Sequence, residues 1–465
     1  MTQSLIDDPA RFQSQITASE DHEDLFEGLY VKYDEDSESV AGLRRRRRRA
    51  SNTPDDPIKT VSLIEQGGIL FWSDGIPGPN LPSRRRASHR DRPMAPTGTL
   101  VLAKQFPALE PNKVAAAIGA IDLRLNASID ISLRSRLREL QRGGNDDYAL
   151  GQDVNGPFTG RTLLFIHGTF SNAANMLGEF AATDQGLRFL NSAMGGPNKY
   201  DRVVFFDHAT LAVSPVINAL ELGRAFAGSS GQIDVIAHSR GGLIARWWLE
   251  AFGSSLRLAE NVPVHVVFAG SPLHGTSLAA PDKLKDVMNL LSNIGSFAEA
   301  TMKLVGAANP FLWVAGKLVE VIVSVTGALA KTPLIDGVVA LVPGLAGQSM
   351  VSNNYELNRL RQGPCAVDPL YFVVKSNFQT KNPGWKFWQN FRPTRAADIA
   401  ADFLFPGDND LVVDTSSMTD LGDSGFKLKV DTDECDFGVS DTVWHCNYFR
   451  QAETIDYITA KFSLH

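Results

Sequence analysis

From residue 160 onward the chain alternates between short apolar runs and longer stretches with helical spacing. Thr162 to Ile166, Arg202 to Phe206, Ile233 to Ala237 and Val264 to Phe268 are runs of strand length. Between them, Asn172 to Phe189, Val216 to Phe226 and Leu243 to Phe252 carry apolar residues at helical intervals. Short apolar strands separated by helices predict a parallel sheet covered on both faces, an α/β fold. The alternation stops after Ser271, resumes with a strand at Leu370 to Val374 and ends in a helix over Gln451 to Phe462.

The interruption is the most apolar part of the chain. Leu284, Val287, Leu291, Ile294 and Ala298 follow Pro281 and Asp282 at helical spacing, and residues 311–345 are richer still. A membrane span needs about 18 to 20 apolar residues in a row. Lys317, Glu320, Lys331 and Asp336 interrupt any such run, and Pro333 and Pro343 cut its helices short. We expect residues 278–350 to form a helical cap over the carboxyl end of the sheet. Interfacial membrane contact through that apolar cap is the second reading, and a spanning helix the third.

Ahead of residue 160, strands are expected at Val61 to Trp72 and Gly98 to Phe106, and helices at Lys113 to Leu125 and Ile129 to Arg142. In the last of these, Leu133, Leu137 and Leu140 form an apolar stripe among Arg134, Arg136, Arg138 and Glu139. The polar stretch Asn145 to Thr159 then marks a boundary. The expected organisation is a flexible segment 1–60, a small α+β module 61–150, and an α/β domain 160–465 that carries the cap.

Charge separates the first segment from the rest. Residues 1–40 hold eleven Asp or Glu against two Lys or Arg, and Arg44 to Arg49 is an unbroken arginine run. A second basic stretch, Ser83 to Arg92, follows. Like-charge blocks repel and rarely pack, so a solvated loop is the plain reading. Binding to an anionic partner such as lipid head groups, pairing with the acidic segment, and cleavage by an arginine-specific protease that activates a zymogen stay open. The net charge of −7 gives no global field for nucleic acid. Cys365, Cys435 and Cys446 fit no zinc or redox spacing and read as free thiols in a reducing compartment. The acidic N-terminus lacks a signal-peptide core, which points to a cytoplasmic protein, peripheral at membranes if the cap touches them. No metal or cofactor is called for.

The candidate chemistry centres on Ala237-His238-Ser239-Arg240-Gly241-Gly242, set between an apolar strand and a helix. A serine on such a sharp turn projects its hydroxyl into a cleft, and small neighbours let the turn close. A hydroxyl becomes a nucleophile only when a base takes its proton and an acid orients the base. In the doubly wound hydrolases that this strand–turn–helix resembles, the acid and then the His follow the Ser. Among the downstream histidines, His265 lies within a strand, His274 precedes the acid candidates and His465 is terminal. His445 sits in a loop before the last helix and is the base we select. For the acid, Asp410 immediately precedes the apolar Leu411-Val412-Val413. Asp408 is the alternative and Asp414 a weaker one. Calcium binding by this Asp-rich loop lacks the usual alternation of ligands. The developing oxyanion needs two N–H donors. Arg240 offers one, and Thr169, with Phe170 as alternative, offers the other from the loop Ile166-His167-Gly168-Thr169-Phe170. His167 reads as a structural residue of that loop. Phe170, His238 and Leu273 are expected to touch substrate.

These segments, with Phe268-Ala-Gly-Ser-Pro-Leu-His-Gly-Thr-Ser277, resemble the α/β-hydrolase superfamily, in particular lipase- and esterase-type serine hydrolases with an Ala-x-Ser-x-Gly turn. The resemblance covers residues 160–465. It implies hydrolysis of an acyl ester through a Ser-His-Asp triad, and the apolar cap adds a lipid-like substrate. An acyltransferase or amidase with the same triad, and a non-enzymatic partner-binding module, are the competing readings. Residues 1–150 show no such resemblance.

Overall fold

The structure, a computed structural model, describes residues 59–66, 69–74, 99–106, 114–144, 147–253, 258–259, 262–280, 283–302, 315–319, 321–322, 342–361, 367–380, 405, 407–423, 428 and 430–464. The acidic segment, both arginine runs, Cys365, His465 and most of the apolar run 311–345 lie outside the described residues.

Eight strands form the main sheet: β4 (Arg136–Arg142), β5 (Tyr148–Val154), β6 (Thr162–Ile166), β7 (Arg202–Asp207), β8 (Ile233–His238), β9 (Val264–Ala269), β10 (Leu370–Phe378) and β11 (Glu434–Ser440). Their spatial order is β11-β10-β9-β8-β6-β7-β4-β5. All pairs from β11 to β7 are parallel, and β4 runs antiparallel to both of its neighbours. Every residue of β6 is buried, because helices cover both faces. Leu163 and Phe165 face one layer with α2 (Ala173–Ala181), α3 (Asp184–Gly195) and α7 (Ala452–Lys461). Leu164 and Ile166 face the other layer with α4 (Pro215–Phe226) and α5 (Arg240–Arg246). Asn172, Thr183 and Ser214 start α2, α3 and α4 by accepting a backbone N–H from inside the first turn.

From β6 the chain first adds β7 on one side and then crosses to β8 on the other. The crevice beyond the carboxyl ends of β6 and β8 is therefore the switch point where open parallel sheets place their sites. Ile166 is in register with Ala237, and His238 with Ala269, so the loops after β6, β8 and β9 emerge side by side. This mostly parallel sheet between two helical layers is a doubly wound α/β fold.

The helix expected over Ile129 to Arg142 is absent: residues 129–135 are turn and irregular, and residues 136–142 are strand β4. Leu137 and Leu140 pack into opposite layers, as residues an odd number apart on a strand must. Glu139, one of the charges around the expected apolar stripe, pairs across strands instead, accepting from Arg202 at 2.8 and 2.9 Å. The polar stretch Asn145 to Thr159 accordingly contains β5, and the sheet begins ahead of it.

A second sheet, of order β2-β1-β3, comprises β1 (Lys59–Gln66), β2 (Ile69–Asp74) and β3 (Thr99–Phe106), all antiparallel. Val61 to Trp72 thus spans two strands rather than one. Val61, Leu63 and Trp72 share one apolar cluster with Ile118 and Ile121 of α1 (Val114–Leu125) and with Val287, Leu291 and Ile294 of α6 (Leu284–Met302). The exposed edge of β2 is satisfied by α6 side chains. Leu70 N–H donates to Asn293 Oδ1 and Trp72 N–H to Asn289 Oδ1, both at 2.8 Å. Asn293 Nδ2 donates back to the Leu70 carbonyl at 2.9 Å, and Trp72 Nε1 donates to Ser292 Oγ at 2.9 Å. Among the described residues, no helix is long and apolar enough to cross a membrane.

Candidate active site

Ser239 lies between β8 and α5, as the N-cap of the helix, with φ 53° and ψ −125°. A non-glycine residue in that region is strained by about 1–3 kcal/mol and persists only when its surroundings impose it. Glycines provide the room. A Cβ on Gly168 would stand 2.8 Å from the Ser239 Cβ, one on Gly241 2.5 Å from the Ile166 carbonyl oxygen, and one on Gly242 2.4 Å from Ser271 Oγ. Ser239 is nearly fully buried and lines an apolar cavity of about 180 Å³ together with His445, His238, Thr169 and Phe170.

His445 Nδ1 donates to Asp410 Oδ2 at 2.8 Å. An ionised carboxylate only accepts, so this bond keeps the proton on Nδ1 and leaves Nε2 its lone pair. The two residues are also tied through the main chain, His445 N–H to the Asp410 carbonyl at 3.1 Å. Asp410 is fully buried, and its remaining acceptor capacity is used as well. Oδ1 takes the N–H groups of Val412 at 3.1 Å and Val413 at 2.8 Å, while Oδ2 takes the Tyr448 hydroxyl at 2.9 Å. Burial, and then the Asp410 charge, push the Tyr448 phenol well above its ordinary value, so it stays a donor. Gly270, at φ 54°, lets the β9 loop close over the pair; a Cβ there would meet Asp410 Oδ2 at 3.0 Å and His445 Nδ1 at 3.2 Å.

The other acids lie elsewhere. Asp408 is exposed. Asp414 is buried and accepts from Ser277 N–H at 2.9 Å and Ser277 Oγ at 3.1 Å, with burial raising its carboxyl. His265 is held by Asp234 at 2.7 Å and His274 by Asp420 at 2.5 Å.

Arg240 is the first residue of α5, so its N–H is one that the helix leaves without an internal acceptor. Its side chain turns away, to Val213 O at 2.6 Å and Asn218 Oδ1 at 2.7 Å, and burial pulls the guanidinium down to about 9. Across the cleft, Thr169 donates its hydroxyl to Gln348 Oε1 at 3.0 Å. The Phe170 N–H already reaches Thr210 Oγ1 at 3.4 Å. His167 is stacked on His208 with centroids 3.9 Å apart, and burial pulls it down to about 4. His238 Nε2 donates to the His445 carbonyl at 2.9 Å, and burial pulls its ring down to about 3. It tethers the base loop to the elbow while lining the cavity. Leu273 does not reach the cavity: it is fully buried in the layer with α4 and α5, where its carbonyl accepts from Arg246 at 3.2 Å.

The far wall is apolar, formed by Leu278, Val287, Leu291, Ile294 and Leu345 with Leu125 from α1. Tyr448, Gln348 and Leu125 escape the sequence reading. Tyr448 lies three residues after His445, beyond the turn closed by the Asn447 N–H on the Trp444 carbonyl at 3.1 Å, and that spacing is the one local signal for it.

No curated protein matches the sequence. Several solved structures are similar. Lipase 1 from Pelosinus fermentans is 14% identical with a TM-score of 0.34, the match covering 67% of this chain and 98% of that one. A Listeria innocua gene product is 12% identical with a TM-score of 0.30, covering 64% and 92%. A putative hydrolase from Legionella pneumophila is 11% identical with a TM-score of 0.27, covering 76% and 95%. Residues 134–463 match the family described as Domain of unknown function (DUF7379), and the chain belongs to that family.

Proposed function

We propose that the protein is a serine hydrolase that cleaves an acyl ester with a lipid-like acyl chain. The observation that carries this reading is Ser239, held at φ 53° on the β8–α5 turn, sharing one cavity with His445, whose Nδ1 is fixed by Asp410 at 2.8 Å. Ser239 Oγ attacks the ester carbonyl carbon and its proton passes to His445 Nε2. The carbonyl oxygen gathers negative charge against the N–H groups of Thr169 and Arg240. The tetrahedral intermediate collapses, the leaving alcohol takes the proton from His445, and an acyl-Ser239 remains. Water, deprotonated by His445, then releases the acid. The apolar wall from α6 and Leu345 supports a hydrocarbon acyl group, and an ester of that kind brings the cap to a membrane surface.

Hydrolysis of a fluorogenic medium-chain ester by the full chain tests the reading. Turnover by the wild type and its loss in Ser239→Ala support it; equal rates in both proteins sink it. Product analysis with competing alcohols and amines then distinguishes water from another acceptor, as an acyltransferase would use, and an amide series tests amidase chemistry.

A further inference from the structure

The loop that carries Thr169 and Phe170 is braced from outside the sheet, by α1. On one side, the Phe170 N–H reaches Thr210 Oγ1 at 3.4 Å, and the Thr210 hydroxyl donates to Asp122 Oδ1 at 3.0 Å. Asp122 is fully buried and also accepts the N–H groups of Thr210 at 2.7 Å, Leu211 at 3.0 Å and Ala212 at 2.7 Å. Burial raises this carboxyl and those backbone donors pull it back. On the other side, Asn172 Nδ2 donates to the carbonyl of Leu125, the last residue of α1, at 2.8 Å. Asn126 Nδ2 donates to Asp207 Oδ1 at 3.0 Å, the same oxygen that accepts the Ala173 N–H at 2.8 Å. Residues 170, 172 and 173 are thus each joined to 122–126 directly or through one side chain.

Phe170 needs such bracing, because it sits at φ 59°, where non-glycine residues are uncommon. A donor for a developing oxyanion is effective only if it is aimed before the charge appears. All of α1 lies ahead of the residues matched by the family, 134–463. We propose that α1 is a positioning element of the active site: Asp122, through the Thr210 hydroxyl, holds Thr169–Phe170 in the conformation that presents an N–H to the oxyanion. The proposal rests on the reading of Ser239 as the nucleophile.

Steady-state ester kinetics on the full chain, normalised to folded protein, test it with Asp122→Asn, Thr210→Val and Thr210→Ser. Loss of a whole oxyanion donor costs about 10²–10³ in kcat, so a misaimed one is expected to cost roughly tenfold to a hundredfold with KM little changed. Thr210→Val and Asp122→Asn should both show that loss, and Thr210→Ser, which keeps the hydroxyl, should restore wild-type kcat. The double variant Asp122→Asn with Thr210→Val should lose little more than the worse single one, because both break one chain. Unchanged kcat in Thr210→Val, equal impairment in Thr210→Ser, or a loss confined to KM overturns the proposal. If Asp122→Asn fails to fold, the Thr210 pair decides alone. If the wild type and Ser239→Ala turn over alike, the hydrolase reading itself has failed and the positioning role falls with it.

Discussion

Tyr448 donates its hydroxyl hydrogen bond to Asp410 Oδ2 at 2.9 Å, the same oxygen that accepts the hydrogen bond of the His445 Nδ1–H at 2.8 Å. The phenol fixes the orientation of the carboxylate and therefore of the imidazole. Tyr448→Phe keeps the buried ring and removes only this bond, one to a charged group worth about 1.5–3 kcal/mol. We expect kcat to fall by roughly tenfold with KM unchanged, as measured on a soluble ester. A wild-type kcat would show that Val412, Val413 and the backbone hold Asp410 unaided.

Asp410→Asn should lower turnover by about 10⁴, because an amide cannot stabilise the imidazolium and favours the wrong tautomer. Asp408→Asn should cost far less, since Asp408 is exposed and its carbonyl, which accepts the Thr415 N–H at 2.8 Å, is untouched by the change. The same kinetic assay ranks the two, and a reversed ranking would move the acid to position 408.

Helix α6 is clamped to the β2 edge by Asn289, Ser292 and Asn293. Asn293→Ala leaves the buried Leu70 N–H and carbonyl without those partners and should cost about 1–3 kcal/mol. Because α6 also forms the apolar wall of the cavity, the ratio of long-chain to short-chain ester turnover should fall as well. Thermal unfolding and a chain-length series measure the two effects. A lower melting temperature with an unchanged ratio would make the clamp purely structural.

Three buried imidazoles make stability depend on pH. Burial lowers His167 to about 4, His238 to about 3 and His208 well below its ordinary value. An unfolded chain protonates all three near 6.5, so below that pH the unfolded state binds more protons than the folded one. Stability is therefore full above about 6.5 and declines as pH falls toward the folded values, by up to about 1.4 kcal/mol per pH unit for each imidazole. Denaturant unfolding between pH 7 and pH 5 should show this slope, and His238→Gln should make it shallower. A flat profile would mean these rings are not neutral inside.

The parallel strands and the elbow are legible in the sequence because their burial on both faces leaves apolar runs, and because Gly168, Gly241 and Gly242 answer to contacts across the turn. Asp410 and His445 are legible as residues of loops at the sheet's carboxyl end. β4 is misread because both of its faces are covered, so Leu137 and Leu140 sit at a spacing that also suits a helix. β11, Glu-Cys-Asp-Phe-Gly-Val-Ser, is a half-exposed edge strand with no apolar run to announce it. Asp122 meets Thr210 across 88 residues of sequence and Gln348 meets Thr169 across 179, so no local pattern marks them.

The most direct measurement is labelling of the full chain with a fluorophosphonate followed by peptide mapping. A single adduct is expected, on Ser239, absent from Ser239→Ala and strongly slowed in His445→Ala. No adduct on the wild type, or an adduct that persists in Ser239→Ala, would contradict Ser239 as the nucleophile.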